Sequence, residues 1–251
     1  RDADESDVFI LSGAEDLVPV LRRNAQGKWV PEVVPPRTID GITYTIRRYR
    51  PRIEGLFARI ERWTSLSGDV HWCSISKDNI LTIYGKDENS RIIDPDDHQH
   101  IFSWLICETR DDKGNAVIYE YDVEDGKGVN LSQAHECNRG DQNSLRRQVN
   151  RYLKRIKYGN RATLLDNSYH RPYFVTKADF DKADWMFEVV FDYLYAEKNQ
   201  EAEGQHYTQH APDAAGQIYI EDAATHNLRT WNVRSDPFSS YRAGFEIRTY
   251  R

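Results

Sequence analysis

Apolar and polar residues alternate with period two along much of the chain, the spacing of half-buried β-strands. Ile42, Tyr44 and Ile46 alternate with Thr43, Thr45 and Arg47, and Leu56, Ala58 and Ile60 alternate with Arg59 and Glu61. Trp185, Phe187, Val189, Phe191 and Tyr193 fall on one face of a further strand, with Glu188 and Asp192 on the other. Phe245 and Ile247 alternate with Glu246 and Arg248. Shorter apolar runs predict strands at 8–11, 17–21, 70–76, 80–84, 101–107, 116–121 and 152–158. Between them stand turn residues that supply positive φ or bond their own backbone: Asp40 and Gly41, Ser67 to Asp69, Lys77 to Asn79, and Asp111 to Asn115. Strands recurring roughly every ten residues predict antiparallel hairpins and not βαβ units.

Helix signals are few. Two short helices of two turns each are predicted at 131–138 and 145–151, and a third helix at 177–184 with Thr176 as its N-cap. Residues 196–227 are polar and weakly patterned, and read as an exposed insertion or loop. The expected fold class is therefore mainly β, an antiparallel sheet-rich region with few short helices, running as a single unit over 1–251. There is no initiator Met (the only Met is Met186), and 244–251 reads as a strand with no turn after it. Both features predict a piece of a longer protein.

Composition narrows the classes. Charged residues make up 29% and mean hydropathy is -0.76, and no run approaches the ~20 apolar residues of a spanning helix. Thirty aromatic residues (9 Phe, 6 Trp and 15 Tyr) give ample surface to bury, which excludes wholesale disorder. A net charge of -6 argues against nucleic acid as the default partner. Three cysteines, Cys73, Cys107 and Cys137, cannot form a full disulfide framework, and no CxxC pair occurs. Cys73 and Cys107 sit in apolar runs and read as small buried side chains.

Candidate chemistry is sparse. His206 and His210 are four apart and His98 and His100 two apart, spacings that would put each pair on one face of a helix or strand. Neither pair has a third ligand nearby, so solvated loop histidines are the stronger reading. Asp94, Asp96 and Asp97 form an acidic cluster without EF-hand spacing, and read as a polar turn. Glu201, Ala202 and Glu203 match a Glu-x-Glu pattern too short to carry weight. There is no GxSxG elbow and no Cys/His signature. The stretch 146–161 carries seven basic residues (Arg146, Arg147, Arg151, Lys154, Arg155, Lys157 and Arg161), interleaved with Tyr152 and Tyr158 and free of acids. Such a strand would hold phosphates and stack bases. In an acidic chain with Leu153 and Ile156 at buried positions, pairing with neighbouring strands or subunits is the stronger reading. Arginine beside aromatics recurs at Arg47 to Arg50, Arg59 to Trp63, and Tyr241 with Arg242, a combination common to wet sheet faces and sugar-binding grooves. No catalytic, cofactor-binding or metal site is assigned.

Eight strings go further, in this order: SGAEDLVPVL (12–21), YRPRIEGLFARIERW (49–63), IFSWLICE (101–108), DDKGNAVIYEY (111–121), LSQAHECNR (131–139), RYLKRIKYGNR (151–161), WMFEVVFDY (185–193) and DPFSSYRAGFEIRTYR (236–251). Together they resemble the SpvB-type N-terminal region of the B component of bacterial Tc (toxin complex) insecticidal toxins and of the Salmonella virulence protein SpvB family. Two places depart from that pattern: Cys73 stands where an Arg is usual, and the stretch between Tyr193 and Asp236 is longer. The resemblance implies an antiparallel, β-sheet-rich segment of an Rhs/Tc-toxin-like shell, which holds a toxic C-terminal polypeptide unfolded and shielded. It implies no catalysis and no cofactor in this chain, any ADP-ribosyltransferase activity lying in a separate C-terminal region. Implied partners are the remainder of its own B component and a C-type (Rhs) toxin component, with an A-type pore-forming component indirectly, and neither nucleic acid nor direct membrane insertion. The implied location is cytoplasmic in the producing bacterium before release, then secreted as part of a toxin complex. The alternative is a carbohydrate-binding or glycosidase-like β protein, resting on the aromatic and carboxylate richness; glycosidase chemistry requires two carboxylates about 5–10 Å apart across a cleft.

Overall fold

In the computed structural model, residues 7–12, 16–124 and 144–191 are described in full, and 207–209, 219–222, 228–230, 239–242 and 245–248 by their backbone. The elements in chain order are β1 (Phe9–Ile10), β2 (Asp16–Pro19), β3 (Leu21–Arg23), β4 (Trp29–Pro31), β5 (Arg37–Ile39), β6 (Ile42–Pro51), β7 (Arg59–Ser65), β8 (Val70–Ile75), β9 (Leu81–Tyr84), β10 (Arg91–Ile93), β11 (Ile101–Trp104), β12 (Ile106–Arg110), β13 (Ala116–Val123), β14 (Arg151–Asn160), α1 (Lys177–Asp181), β15 (Trp185–Val190), β16 (Tyr207–Gln209), β17 (Tyr219–Asp222), β18 (Leu228–Thr230), β19 (Ser239–Arg242) and β20 (Phe245–Arg248). Single 3-10 turns cover Glu88–Ser90 and Leu145–Gln148.

Eleven strands form one antiparallel sheet in the order β1, β2, β6, β7, β8, β9, β12, β13, β14, β15, with β5 also pairing with β6. Smaller antiparallel pairings join β3 to β4, β10 to β11, β16 to β17 to β18, and β19 to β20. The predicted turns make this possible: Asp40 and Gly41, at φ 51 and 77, close the β5–β6 hairpin with the two positive-φ residues that its twist requires.

Most predicted strands are present, and the departures have local causes. The run 101–107 splits into β11 and β12 because the Leu105 N–H donates to Ser90 O and its carbonyl accepts from the Gly85 N–H. β11 then pairs with β10 while β12 joins the main sheet. Leu56 and Ala58 lie before β7, in a loop where Glu54 accepts from the Phe57 N–H at 2.8 Å. At 145–151 the two-turn helix is replaced by a single 3-10 turn, Leu145–Gln148, which leads through Val149 and Asn150 into β14. At 177–184 the helix forms as α1, with Thr176 and Asp179 in a reciprocal capping box. The 131–138 stretch lies outside the described residues; within 196–227 the described parts are β16 and β17.

Cross-strand register defines the two faces, since residues paired across strands share a face. One rung runs Glu61, Cys73, Ile83, Glu108, Ile118, Lys157 and Glu188. The adjacent rung, on the opposite face, runs Tyr49, Ile60, Ser74, Thr82, Thr109, Val117, Tyr158 and Phe187. Each face carries an aromatic-rich core over the central strands. On the first, Tyr44, Ile46, Trp63, Cys73 and Ile83 are buried, with Tyr173 and Phe174 packed on them. On the second, Leu17, Tyr49, Ile60 and Trp72 are buried under Phe9, Leu11 and Trp104.

β7 is therefore covered on both sides, and the expectation of a polar outer face fails there: Glu61 is only 2% exposed. Its carboxylate holds Arg48 and Arg59, each at 3.3 Å, and accepts the Trp63 indole N–H at 3.1 Å. β15 fails in the other direction. Phe187 and Val189 were expected on one apolar face; they are 52% and 41% exposed.

Candidate functional site

The segment 171–176 lies against the first face as a strap, joined by side-chain cations donating to main-chain carbonyls. Arg110, 1% exposed, donates to Pro172 O at 2.6 Å and Tyr173 O at 2.5 Å, and also holds Glu108 at 3.3 Å. Lys86 donates to Val175 O at 3.0 Å, stands 3.7 Å from Glu108 Oε2 and lies over the Phe174 ring. Arg171 donates back to Arg110 O at 3.2 Å. Burial pulls the Arg110 guanidinium below its ordinary range, and Glu108 opposes that pull. Tyr173 stacks on Trp63 at 4.1 Å, and its hydroxyl contacts Cys73 Sγ. Burial pushes both the Cys73 and Cys107 thiols up to about 12, so both are unreactive thiols, not nucleophiles.

Between strap and sheet runs a groove of about 910 Å³. Its walls include Tyr44, His71, Lys86, Glu108, Tyr119 and Phe174. His71 is 2% exposed, and burial pulls its imidazole down to about 3, so it is neutral at ordinary pH. Three carboxylates of this wall are tied to cations: Glu108 as above, Glu120 to Lys157 at 2.8 Å, and Asp69 to Arg91 at 3.2 Å. These are the contacts of a structural network.

The sequence candidates are dispersed. His100 sits 3.6 Å from Asp97 and 3.8 Å from Asp94, and His98 3.9 Å from Glu88, all in the turn between β10 and β11. Asp94 and Asp97 accept the main-chain N–H groups of Asp96 and Gln99, as in a polar turn, and Asp96 pairs with Arg146. Among the described residues no three His, Cys, Asp or Glu side chains come together to hold a metal ion. His206, His210, Cys137, Glu201 and Glu203 lie outside the described residues. The basic stretch is spent on its neighbours: Arg155 on Glu120 and Glu188, Lys154 on Asp122, Lys157 on Glu120, Arg161 on Asp184, and Arg151 on the carbonyls of Gln148 and Val149. Arg147 is buried. Sequence reasoning missed His71, Lys86, Glu108 and Arg110 as a group; the one available signal was charge, Glu108 and Arg110, directly after the apolar run 101–107.

The family model described as Salmonella virulence plasmid 65kDa B protein, SpvB, matches residues 2–251. The chain belongs to the SpvB family. It is 32% identical over 210 residues to the mono(ADP-ribosyl)transferase SpvB of Salmonella typhimurium, and equally to that of Salmonella choleraesuis. The match covers 83% of this chain and 30% of those relatives' length. The solved N-terminal domain of the Salmonella typhimurium effector SpvB superposes with a TM-score of 0.69 at 29% identity, over 98% of this chain and 68% of that one. TcdB2-TccC3 gives 0.61 at 27% identity, and the Photorhabdus luminescens Tc holotoxin pore 0.63 at 27%, each over 99% of this chain and 10% of the other. The expected resemblance and the mainly antiparallel β fold are both confirmed. The chain is a toxin-related SpvB region, and among its described residues no helix is long and apolar enough to cross a membrane.

Proposed function

We propose that this chain is a wall segment of a toxin shell, which helps to encapsulate and deliver a toxic C-terminal polypeptide and has no catalysis of its own. The observation that carries the reading is the superposition of 99% of the chain on one tenth of TcdB2-TccC3. A part that small, aligned along its whole length, fits a component of a larger enclosure. The sheet supports the same reading. Its buried charges are committed to holding strap and strands together, and β15 has β14 as its one neighbour among the described residues, leaving an edge on which a further wall strand can pair.

The partners on this reading are the remainder of the same B component and a C-type (Rhs) component, with an A-type pore-forming component engaged indirectly and the complex acting after secretion. Any ADP-ribosyl transfer belongs to a separate C-terminal region, in keeping with a match that spans 30% of the SpvB transferase. The test is limited proteolysis of the cargo in the longer protein co-assembled with its C-type component, with and without this segment. Cargo that survives in the intact assembly and is cleaved when the segment is removed is the expected result. Equal protection in both would remove the proposal.

A further inference from the structure

The hairpin of β3 and β4 is ordered without a core of its own. No residue from Leu21 to Val33 is buried, and Leu21 and Trp29 are 48% and 58% exposed. A two-stranded hairpin is at best marginally stable in water, so local bonds must hold this one. Several lie at its turn. Asn24 Oδ1 accepts the N–H groups of Gln26 and Lys28 at 3.0 and 2.9 Å, and Gly27 supplies a positive φ of 76. Arg23 lies over the Trp29 ring at 5.1 Å. At the base, the Glu32 N–H donates to Val20 O and the Val20 N–H to Arg48 O.

The hairpin carries charge and an open edge that the rest of the chain does not take up. Residues 21–31 hold Arg22, Arg23 and Lys28 and no acid, in a chain of net charge -6. None of the three cations is ion-paired among the described residues. The register sets Leu21 against Pro31, Arg22 against Val30 and Arg23 against Trp29. Bonds from Glu32 to Val20 and from Asn24 to Lys28 fix the alternation, so on β3 the inward main-chain groups are those of Arg22. Leu21 and Arg23 aim their N–H and C=O outward, and β3 has β4 as its one partner strand among the described residues. The outer edge of β4 lacks a donor at Pro31.

One class of partner uses both features. Nucleic acid would meet the cations and leave the strand edge unpaired. An anionic lipid surface would strip water from the edge groups and return no hydrogen bonds. An extended peptide adds as a further strand, its main chain bonding the edge while its side chains meet those of the hairpin. Residues paired across strands share a face, so acids opposite Arg22 and Arg23 and an apolar residue opposite Leu21 complete the match.

We propose that β3 is a docking edge for an extended acidic segment of a partner protein, which adds as a third strand to the hairpin, pairs its carboxylates with Arg22 and Arg23 and sets an apolar side chain beside Leu21. This surface is separate from the β15 edge and does not rest on the shell reading.

The full 251-residue chain, isotope-labelled on main-chain nitrogen, is titrated at low salt with the end-blocked peptide TVDEVT to about 1 mM, the range of weak binding. The amide signals of Leu21 and Arg23 are expected to move while those of Trp185–Val190, on the other open edge, stay in place. Two further peptides use the same protein. TVKKVT reverses the charge and is expected not to bind. TVDEVT methylated on every main-chain nitrogen keeps the charge, loses the donors and is expected to bind ~10-fold or more weakly. In the protein, Arg22→Glu combined with Arg23→Glu changes two exposed side chains and is expected to weaken binding by about 10-fold. Trp29→Ala releases Arg23 from its ring, for a loss of about 3-fold. The proposal is overturned if TVDEVT leaves the β3 amides unmoved, if the methylated peptide or the charge-reversed variant binds as well as the parent pair, or if β15 takes the peptide in place of β3. Oligothymidylate or phosphatidylserine vesicles occupying β3 in place of the peptide would overturn it too.

Discussion

One cross-strand rung passes through two environments. Glu61, Cys73, Ile83 and Glu108, on β7, β8, β9 and β12, are each at most 3% exposed. The same rung continues through Ile118 and Lys157, which are half-buried, to Glu188, which is exposed. In the central strands both faces are covered, so charge survives there only where its atoms are matched: Glu61 by two guanidiniums and an indole, Glu108 by Lys86 and Arg110. Toward β15 the charges form a ladder of partly exposed pairs, Glu120 with Arg155 and Lys157, and Arg155 with Glu188. On the opposite face of that end, Tyr158 and Phe187 stack at 5.2 Å with about half of the Phe187 ring still in solvent. The centre is a finished core. The β15 end has the same alternation with no covering layer among the described residues.

The contrast predicts graded effects. Trp63→Ala empties a fully buried site stacked on Tyr173, and should lower stability by about 3–5 kcal/mol in urea unfolding. Gly85→Ala comes next. Gly85 has φ 63, and an added Cβ would stand 2.8 Å from Trp104 Cβ, so about 2–4 kcal/mol is expected. His71 supplies a pH test. Its folded pKa of about 3 lies below its ordinary value of 6.5, so the unfolded chain takes up the proton first and this contribution to stability is lost as pH falls from 6.5 toward 3. Relative to His71→Phe, the parent should lose about 2 kcal/mol by pH 5. At the β15 end, Arg155→Ala should cost at most about 1 kcal/mol, and less in high salt. Phe187→Ser should shift stability by about 0.5–1 kcal/mol while reducing self-association. A loss at Phe187 equal to that at Trp63 would erase the distinction between the two regions.

The sequence made the strands legible because period-two alternation and turn residues are local signals. The Asp40–Gly41 hairpin and the Thr176 cap were readable for that reason. It also predicted that the 146–161 cations pair with adjacent strands, because an acidic chain with apolar positions between them leaves few other fates. The break at Leu105 was not readable: it depends on hydrogen bonds to Ser90 and Gly85, which only folding brings near. The burial of Glu61 ran against its pattern, since one strand's alternation says nothing about a second covering layer. The groove was invisible for the same reason. His71, Lys86 and Glu108 sit on three separated stretches, and the strap that covers them arrives some 60 residues after Glu108.

Hydrogen exchange at β15 tests the central claim most directly. The amides of Trp185–Val190 that do not bond β14 are compared in the 251-residue chain and in the longer protein that the proposed shell role calls for. Free exchange in the short chain and protection greater by about 100-fold or more in the longer protein is the result expected for a wall strand that gains its neighbour. Equally free exchange in both would contradict a wall that continues past β15.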